Sequence, residues 1–193
     1  MQIIVSGLPG SGKSSLVESL AEEFNLKKIF ASGILQELTQ KKIQEIRTEE
    51  SKKGQGFWES KSGQKVIQDR LKDGKMDRAL DKKLLEILDE VDNVIVDSRT
   101  MPWLSKKGIK IWVKASEKIR AERIGKRDGK SGQEVLKGMR ARYHADQKIY
   151  KKLYSFNLGK DFEPFHLVID NEHLDKKGTA SVAIAFVKNF QKK

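Results

Sequence analysis

Residues 7–14 read Gly-Leu-Pro-Gly-Ser-Gly-Lys-Ser, and this stretch decides the fold. An apolar run at 3–5 precedes it, and apolar residues at helical spacing follow from Leu16 to Phe24. A buried strand, a glycine-rich turn and an amphipathic helix in this order predict a phosphate-binding loop. Glycines let backbone N–H groups point at phosphate oxygens, and the start of the helix adds positive potential there. We therefore expect a nucleoside triphosphate site, with an ordinary Gly/Ser-rich connection as the alternative.

Individual side chains of the loop suit a magnesium–ATP complex. We expect Lys13 to reach the β- and γ-phosphates and the Ser14 hydroxyl to ligate Mg²⁺. Asp97 ends the apolar run at 94–96 and is a second predicted Mg²⁺ ligand, with a strand-end cap as the alternative. The predicted ATP-binding residues are Gly7, Pro9, Gly10, Ser11, Gly12, Lys13, Ser14 and Ser15.

Beyond the loop, strand patterns alternate with helical patterns along the chain. Strands are predicted at 2–6, 28–31, 94–97, 108–114 and 166–170, and helices at 13–24, 34–46, 62–73, 77–91, 116–127, 133–154 and 178–190. Residues 48–63 are predicted to form a surface loop or a mobile hairpin of helices. This alternation, in 193 residues, predicts one α/β domain of three layers with helices on both faces of a parallel sheet.

The composition narrows the class of protein. The sequence has no cysteine, which excludes a disulfide scaffold and a thiolate metal site. No apolar run approaches the ~18 residues of a membrane-spanning helix, and the N-terminus opens in a strand rather than a signal peptide. The three histidines are scattered, so neither a metal-ligand spacing nor a Ser/His/Asp arrangement is present. We expect a cytoplasmic monomer.

The formal net charge of +12 is concentrated in one segment. Residues 106–160 contain 17 Lys or Arg and 5 Asp or Glu. A solvated basic surface explains most of the lysines, whereas guanidinium groups are well suited to hold phosphates. Arg120, Arg123 and Arg127 are spaced to lie on one helix face, and Gly129 follows them. The basic end of this helix and the loop that follows it, Lys126–Lys130, are therefore predicted to form a lid that closes over phosphates.

An ordered set of short motifs runs through the chain. They are the phosphate-binding loop, Ser32-Gly33, Asp77-Arg78 with Asp81, Val96-Asp97-Ser98-Arg99, residues 119–124, residues 126–129, Arg142 with residues 150–154, and residues 167–170. This set resembles the archaeal-type cytidylate kinases, which are adenylate-kinase-like nucleoside monophosphate kinases. The likeness covers both ends of the chain and leaves out roughly residues 40–75.

The resemblance implies a P-loop fold with a five-stranded parallel sheet, a monophosphate-binding excursion over 33–90 and a lid over 124–133. It implies a reaction in which ATP, with Mg²⁺, phosphorylates CMP or dCMP. By matched position, the catalytic residues are Lys13, Arg123, Arg127 and Arg142, and the acceptor-binding residues are Ser32, Gly33, Asp77, Asp81 and Arg99. For Arg99 the residues alone also allow a surface ion pair.

The chain departs from the family in two places. Related cytidylate kinases have an arginine after the Ser-Gly segment, but residues 34–37 contain none, and Lys41, Lys42, Arg47 or Arg70 are candidates to replace it. Tyr143-His144 stands where the family commonly has carboxylates. Within residues 40–75, which the likeness leaves out, Phe57-Trp58 is a candidate to stack on a base, with packing as the alternative.

Two other functions stay open at this point. The first is the same chemistry on another acceptor, such as AMP, UMP or a small hydroxylated metabolite. The second is an ATP-dependent RNA-binding or regulatory protein that uses the basic segment 106–160. Few aromatic side chains are interleaved with these cations, so nucleic acid is not the expected partner.

Overall fold

The computed structural model of the chain describes residues 1–32, 34 and 61–191, without the side chains of residues 61–64 and 66. Five strands form one sheet: β1 (Gln2–Gly7), β2 (Lys27–Phe30), β3 (Val94–Asp97), β4 (Ile109–Lys114) and β5 (Leu167–Asp170). The helices include α1 (Lys13–Phe24), α2 (Lys61–Asp73), α3 (Lys75–Glu90), α4 (Met101–Leu104), α5 (Glu117–Asp128), α6 (Gly132–Tyr154) and α7 (Lys176–Phe190).

Every strand pair of the sheet is parallel, in the order β2-β3-β1-β4-β5. Strand β1 is central, and its Val5 lies beside Asp97 of β3. On the other side, Gly7 lies beside Val113 of β4. In open parallel sheets, ligands bind at the carboxyl ends of the strands, where the strand order reverses. The phosphate-binding loop leaves β1 at this point.

Both faces of the sheet are buried, as the alternating side chains of β1 demonstrate. Ile3 and Val5 point to a core that includes residues of α1 and α7. Ile4 points to the opposite face, which is covered by α3 and α4. Further along that face, Trp112 of β4 packs with an aromatic group that includes residues of α6. These contacts confirm the predicted three-layer α/β fold, with a five-stranded parallel sheet.

The predicted strands and helices agree with the structure to within two residues at each end wherever the structure describes them. Ala31 was predicted to end the second strand, but it is helical and the prediction is wrong there. The predicted helix at 34–46, apart from residue 34, lies outside the described residues, as do Phe57 and Trp58. The excursion over 33–90 and the lid over 124–133 stay predictions.

Within the described part of the chain, no helix has both the length and the apolar character needed to cross a membrane.

Candidate active site

At Gly10 and Gly12 the phosphate-binding loop has a backbone that only glycine adopts readily. Gly10 and Gly12 have φ angles of +79° and +98°, in the left-handed region. A Cβ atom at Gly10 would also lie 2.6 Å from the carbonyl oxygen of Arg120. The spacing of glycines in the sequence therefore reflects both the turn and its close contact with α5.

Two carbonyl groups of the loop are held by donors outside it. The Pro9 carbonyl accepts a hydrogen bond from Arg120 Nη1 at 3.3 Å, and the Ser11 carbonyl accepts one from Asn171 Nδ2 at 2.8 Å. In a trans peptide the C=O and the following N–H point in opposite directions. Because the Pro9 carbonyl points to α5 and the Ser11 carbonyl points to Asn171, the N–H groups of Gly10 and Gly12 point away from them. Such N–H groups are the ones that bind phosphate in a glycine-rich loop.

Lys13, the first residue of α1, bends back over the loop and donates to the carbonyl of Leu8 at 3.3 Å. Burial lowers the pKa of Lys13 to about 8, although the nearby carboxylate of Asp97 opposes the shift. The positive charges of Arg99 and Arg142 lower this pKa further. Lys13 is therefore influenced by more positive than negative charges.

The Ser14 hydroxyl donates to Asp97 Oδ2 at 3.3 Å, so the two predicted metal ligands lie together. Mg²⁺ prefers oxygen ligands and is commonly held by one or two carboxylates together with substrate phosphates. Among the described residues, no group of three or more His, Cys, Asp or Glu could hold a metal ion. Ser14 and Asp97 thus fit a magnesium ion that arrives with a nucleotide, rather than one enclosed by protein ligands.

The three arginines of α5 have different environments. Arg120 is buried and donates through Nε to the Ala115 carbonyl at 3.2 Å, in addition to its bond to the loop. Arg123 donates through Nη1 to the Ser11 carbonyl at 3.3 Å. Arg127 is 71% exposed and forms an ion pair with the neighbouring Asp128. The structure therefore brings Arg120 and Arg123 to the loop, and leaves Arg127 at the exposed end of the helix.

A second group of charges surrounds Asp146 of α6, which is 1% exposed. Its Oδ2 accepts a hydrogen bond from Arg99 at 2.7 Å and its Oδ1 accepts one from Arg70 at 2.9 Å. Arg142, one turn earlier on the same helix, approaches to 4.0 Å. Burial raises the pKa of Asp146, but Arg99, Arg70 and Arg142 outweigh it and hold this pKa below its ordinary value. Asp146 is therefore ionised and shared by three guanidinium groups.

Asp77 of α3 is buried and already bound to an arginine. Arg70 donates to it from Nη2 at 2.7 Å and from Nε at 3.1 Å. Arg70 was one candidate to replace the arginine missing after Gly33, but it is 7% exposed and bound to both Asp77 and Asp146. The other candidates for that replacement, and Gly33 itself, lie outside the described residues.

Asp81, one helical turn after Asp77, is held by two hydroxyl groups. Thr100 Oγ1 donates to it at 2.5 Å and the Tyr154 hydroxyl donates at 2.6 Å. Burial raises the pKa of Asp81 to about 6. Ser32, the other predicted acceptor-side residue, follows β2 and is exposed.

Asn171 and Asp146 contact the site and were not predicted from the sequence. Asn171 follows β5 directly, and the carboxyl end of a parallel strand is a place where functional side chains gather. Asp146 is four residues after Arg142, so the two lie on one helix face. The position of Asn171 after a strand and the spacing of Asp146 from Arg142 can be read from the sequence. Neither pattern identifies the distant residues that these side chains contact.

Comparison with known proteins gives one consistent result. Residues 2–173 match the profile of the cytidylate kinase-like family. A cytidylate kinase of Methanocaldococcus jannaschii is 30% identical over 100% of both chains. One from Archaeoglobus fulgidus is 27% identical, over 97% of this chain and 94% of its own. Among solved structures, a shikimate kinase from Bacteroides thetaiotaomicron superposes with a TM-score of 0.58 at 14% identity, covering 100% of this chain and 99% of its own. This last likeness is one of fold.

Proposed function

The chain belongs to the cytidylate kinase-like family and is an ATP-dependent phosphotransferase, and we propose that its acceptor is CMP or dCMP. In this reaction an oxygen of the acceptor's phosphate attacks the γ-phosphorus of ATP. The bond to the bridging oxygen breaks, and ADP and a cytidine diphosphate are released. Such a reaction needs two phosphorylated substrates side by side, with their charges neutralised.

One observation carries the proposal. Ser14 of the phosphate-binding loop is hydrogen-bonded to Asp97, and Arg99, two residues after Asp97, shares the carboxylate of Asp146 with Arg142. The donor loop therefore adjoins a second cluster of guanidinium groups, which suits the phosphate of an acceptor nucleotide.

The donor side follows from the loop. Lys13 and the loop N–H groups would hold the β- and γ-phosphates, and the residues Gly7, Pro9, Gly10, Ser11, Gly12 and Ser15 would form the rest of the cradle. Ser14 and Asp97 would hold Mg²⁺ through its water shell and the phosphates. The ion, when bound, neutralises charge that develops on the phosphoryl oxygens.

The acceptor side is proposed on the positions matched to the family. Arg99 would bind the acceptor phosphate, and Ser32 and Gly33 would lie beside it. Asp77 and Asp81 would lie near the base or the sugar. Arg142 and Arg123 would bind the transferring group, and Arg127 would approach it when the lid over 124–133 closes.

The test is ADP release from Mg-ATP in the presence of CMP, dCMP, UMP, AMP or GMP. The proposal expects turnover that depends on CMP or dCMP and that is lost in Lys13→Ala. Lys106→Ala, at an exposed lysine, is the matched control and should keep the wild-type rate. Purified protein that binds ATP and forms no diphosphate with CMP or dCMP would contradict the proposal.

The same panel separates the alternatives. Turnover with AMP or UMP, but not with CMP or dCMP, would indicate a kinase with the same reaction and a different acceptor. RNA binding that weakens steeply with salt, without any acceptor-dependent turnover, would favour the regulatory alternative. The cytoplasmic location and the monomeric state remain predictions.

A further inference from the structure

Asn171 is a buried polar residue between β5 and the phosphate-binding loop. It is 3% exposed. Its backbone N–H donates to the Lys114 carbonyl at 2.9 Å, which continues the pairing of β5 with β4. The main chain of Asn171 is therefore fixed by the sheet, and its side chain projects from a rigid position.

The side-chain amide of Asn171 uses both of its ends. Nδ2 donates to the Ser11 carbonyl at 2.8 Å, and Oδ1 accepts from Arg123 Nη1 at 3.0 Å. Arg123 also donates to the backbone carbonyl of Asn171 from Nη2 at 3.2 Å, and to the Ser11 carbonyl from Nη1. Asn171, Arg123 and Ser11 thus form a closed hydrogen-bonded triangle that joins β5, α5 and the loop.

The orientation of the Ser11 carbonyl affects the phosphate-binding loop directly. The peptide that follows it leads into Gly12, whose left-handed backbone makes the loop adaptable. Because the peptide is planar and trans, holding the Ser11 carbonyl toward Asn171 forces the Gly12 N–H to point the opposite way. The amide of Asn171 therefore determines where one of the loop's N–H donors is aimed.

The side-chain amide of asparagine suits this position. The Ser11 carbonyl requires a donor and the Arg123 guanidinium requires an acceptor, and asparagine presents both within one short side chain. Aspartate has nearly the same shape but would place an oxygen against the Ser11 carbonyl. Alanine would remove the 2.8 Å hydrogen bond from the amide to the Ser11 carbonyl. That carbonyl would keep only the hydrogen bond from Arg123, which is longer at 3.3 Å.

We infer that Asn171 is a positioning residue for the donor nucleotide, which holds the phosphate-binding loop and Arg123 in the arrangement that receives the phosphates of ATP. The inference rests on the proposed function only in taking ATP as the donor. It assigns the residue no contact with the reacting atoms.

The test compares Asn171→Asp and Asn171→Ala with the wild-type protein. Binding of Mg-ATP, without any acceptor, is measured by titration calorimetry, and the KM values of ATP and CMP are measured by ADP release. Both variants should weaken ATP binding and raise the KM of ATP by about tenfold, the effect of one buried hydrogen bond. The KM of CMP should stay within a factor of about two.

Two comparisons distinguish positioning from general destabilisation. Asn171→Asp keeps an acceptor for Arg123, so it should unfold at a higher temperature than Asn171→Ala while binding ATP no better. Asn189→Asp makes the same chemical change at an exposed residue of α7, near Met1 and the opposite end of the sheet, and should bind ATP as the wild type does.

The outcomes separate this inference from the proposed function. ATP binding within a factor of about two of wild type in both variants would overturn the inference, as would equal losses at the ATP and CMP sites that follow the loss of stability. Absence of CMP turnover in the wild type would contradict the proposed function instead. The ATP titration would still decide the role of Asn171.

Discussion

Asp146 and Arg99, 47 residues apart in the chain, form a hydrogen-bonded ion pair of 2.7 Å in the interior of the protein. The other oxygen of the same carboxylate binds Arg70 of α2. A buried charge is tolerated when it is paired, and removing one partner leaves the others uncompensated. Asp146 therefore links α2, the end of β3 and α6, and it fixes the guanidinium group that we assign to the acceptor phosphate.

Replacing Asp146 with asparagine should affect both stability and acceptor binding. The change leaves Arg70 and Arg99 without their shared buried anion, which costs ~3–5 kcal/mol in comparable cases. We expect a lower free energy of unfolding in urea and a larger rise in the KM of CMP than in the KM of ATP.

The control for this prediction is Glu117→Gln. Glu117 pairs with Arg140 on the surface, and exposed pairs contribute little to stability. This variant should unfold close to the wild-type midpoint. An Asp146→Asn protein as stable as the control, with an unchanged KM for CMP, would contradict the role given to Asp146.

The lowered pKa of Lys13 predicts a pH dependence of ATP capture. Its pKa is about 8 because burial disfavours the ammonium form, so the lysine loses its proton as the pH rises through that value. Only the ammonium form attracts phosphate oxygens. The value of kcat/KM for ATP, which reports the free enzyme, should therefore fall above about pH 8.

The profile of kcat should stay flat to higher pH, because bound phosphates stabilise the ammonium form. Lys13→Arg provides the control, since a guanidinium keeps its proton throughout this range. The wild-type kcat/KM should decline at high pH and that of Lys13→Arg should not. If the two profiles have the same shape, the ammonium of Lys13 does not control ATP binding.

Asp97 predicts the magnesium dependence of the reaction. Asp97→Asn removes the charge of the carboxylate that we assign to Mg²⁺ beside Ser14, so the Mg²⁺ concentration for half-maximal activity should rise. A titration of activity with Mg²⁺ at fixed ATP measures this. Asp170→Asn is the matched control, because Asp170 also ends a strand but forms a half-exposed pair with Lys114. Equal magnesium curves for the two variants would contradict the assignment of Asp97.

Much of this fold could be predicted from the sequence because its signals are local. The glycines, Lys13 and Ser14 of the loop lie within eight residues, and the apolar periods of β1 and α1 flank them directly. The apolar run before Asp97 likewise indicated a buried parallel strand. These patterns determine the elements one at a time, so their bounds agreed with the structure.

The contacts that complete the site could not be predicted in this way. Asn171 meets Ser11 across 160 positions of the chain, and Arg70 meets Asp146 across 76. Such contacts depend on the order of the strands and on how α2 and α6 pack, which apolar periodicity does not determine. Arg127 shows the opposite error. Its helical spacing predicted that it lies with Arg120 and Arg123, but its side chain is exposed and pairs with Asp128 instead of the loop.

Asp81 predicts an effect of pH on stability. Burial raises its pKa to about 6 in the folded protein, above its ordinary value of 3.8. The folded state therefore binds this proton more tightly than the unfolded state does. The stability gained from Asp81 is fully present below about pH 4 and is lost as the pH rises through about 6. The like charge of Asp77 favours this shift, whereas Arg70 and the Thr100 and Tyr154 hydroxyls oppose it.

Asp81→Asn removes the titration and keeps a side chain that can bond to both hydroxyls. The difference in unfolding free energy, wild type minus variant, should therefore decrease between about pH 4.5 and about pH 7. Urea unfolding at the two pH values measures it, with Asp89→Asn as the control because Asp89 is an exposed residue of the same helix. A difference that stays constant would mean that the two hydroxyl donors stabilise the carboxylate enough to offset its burial. Asp81 would then be ionised throughout this range, and the pH dependence of folding would have to come from other groups.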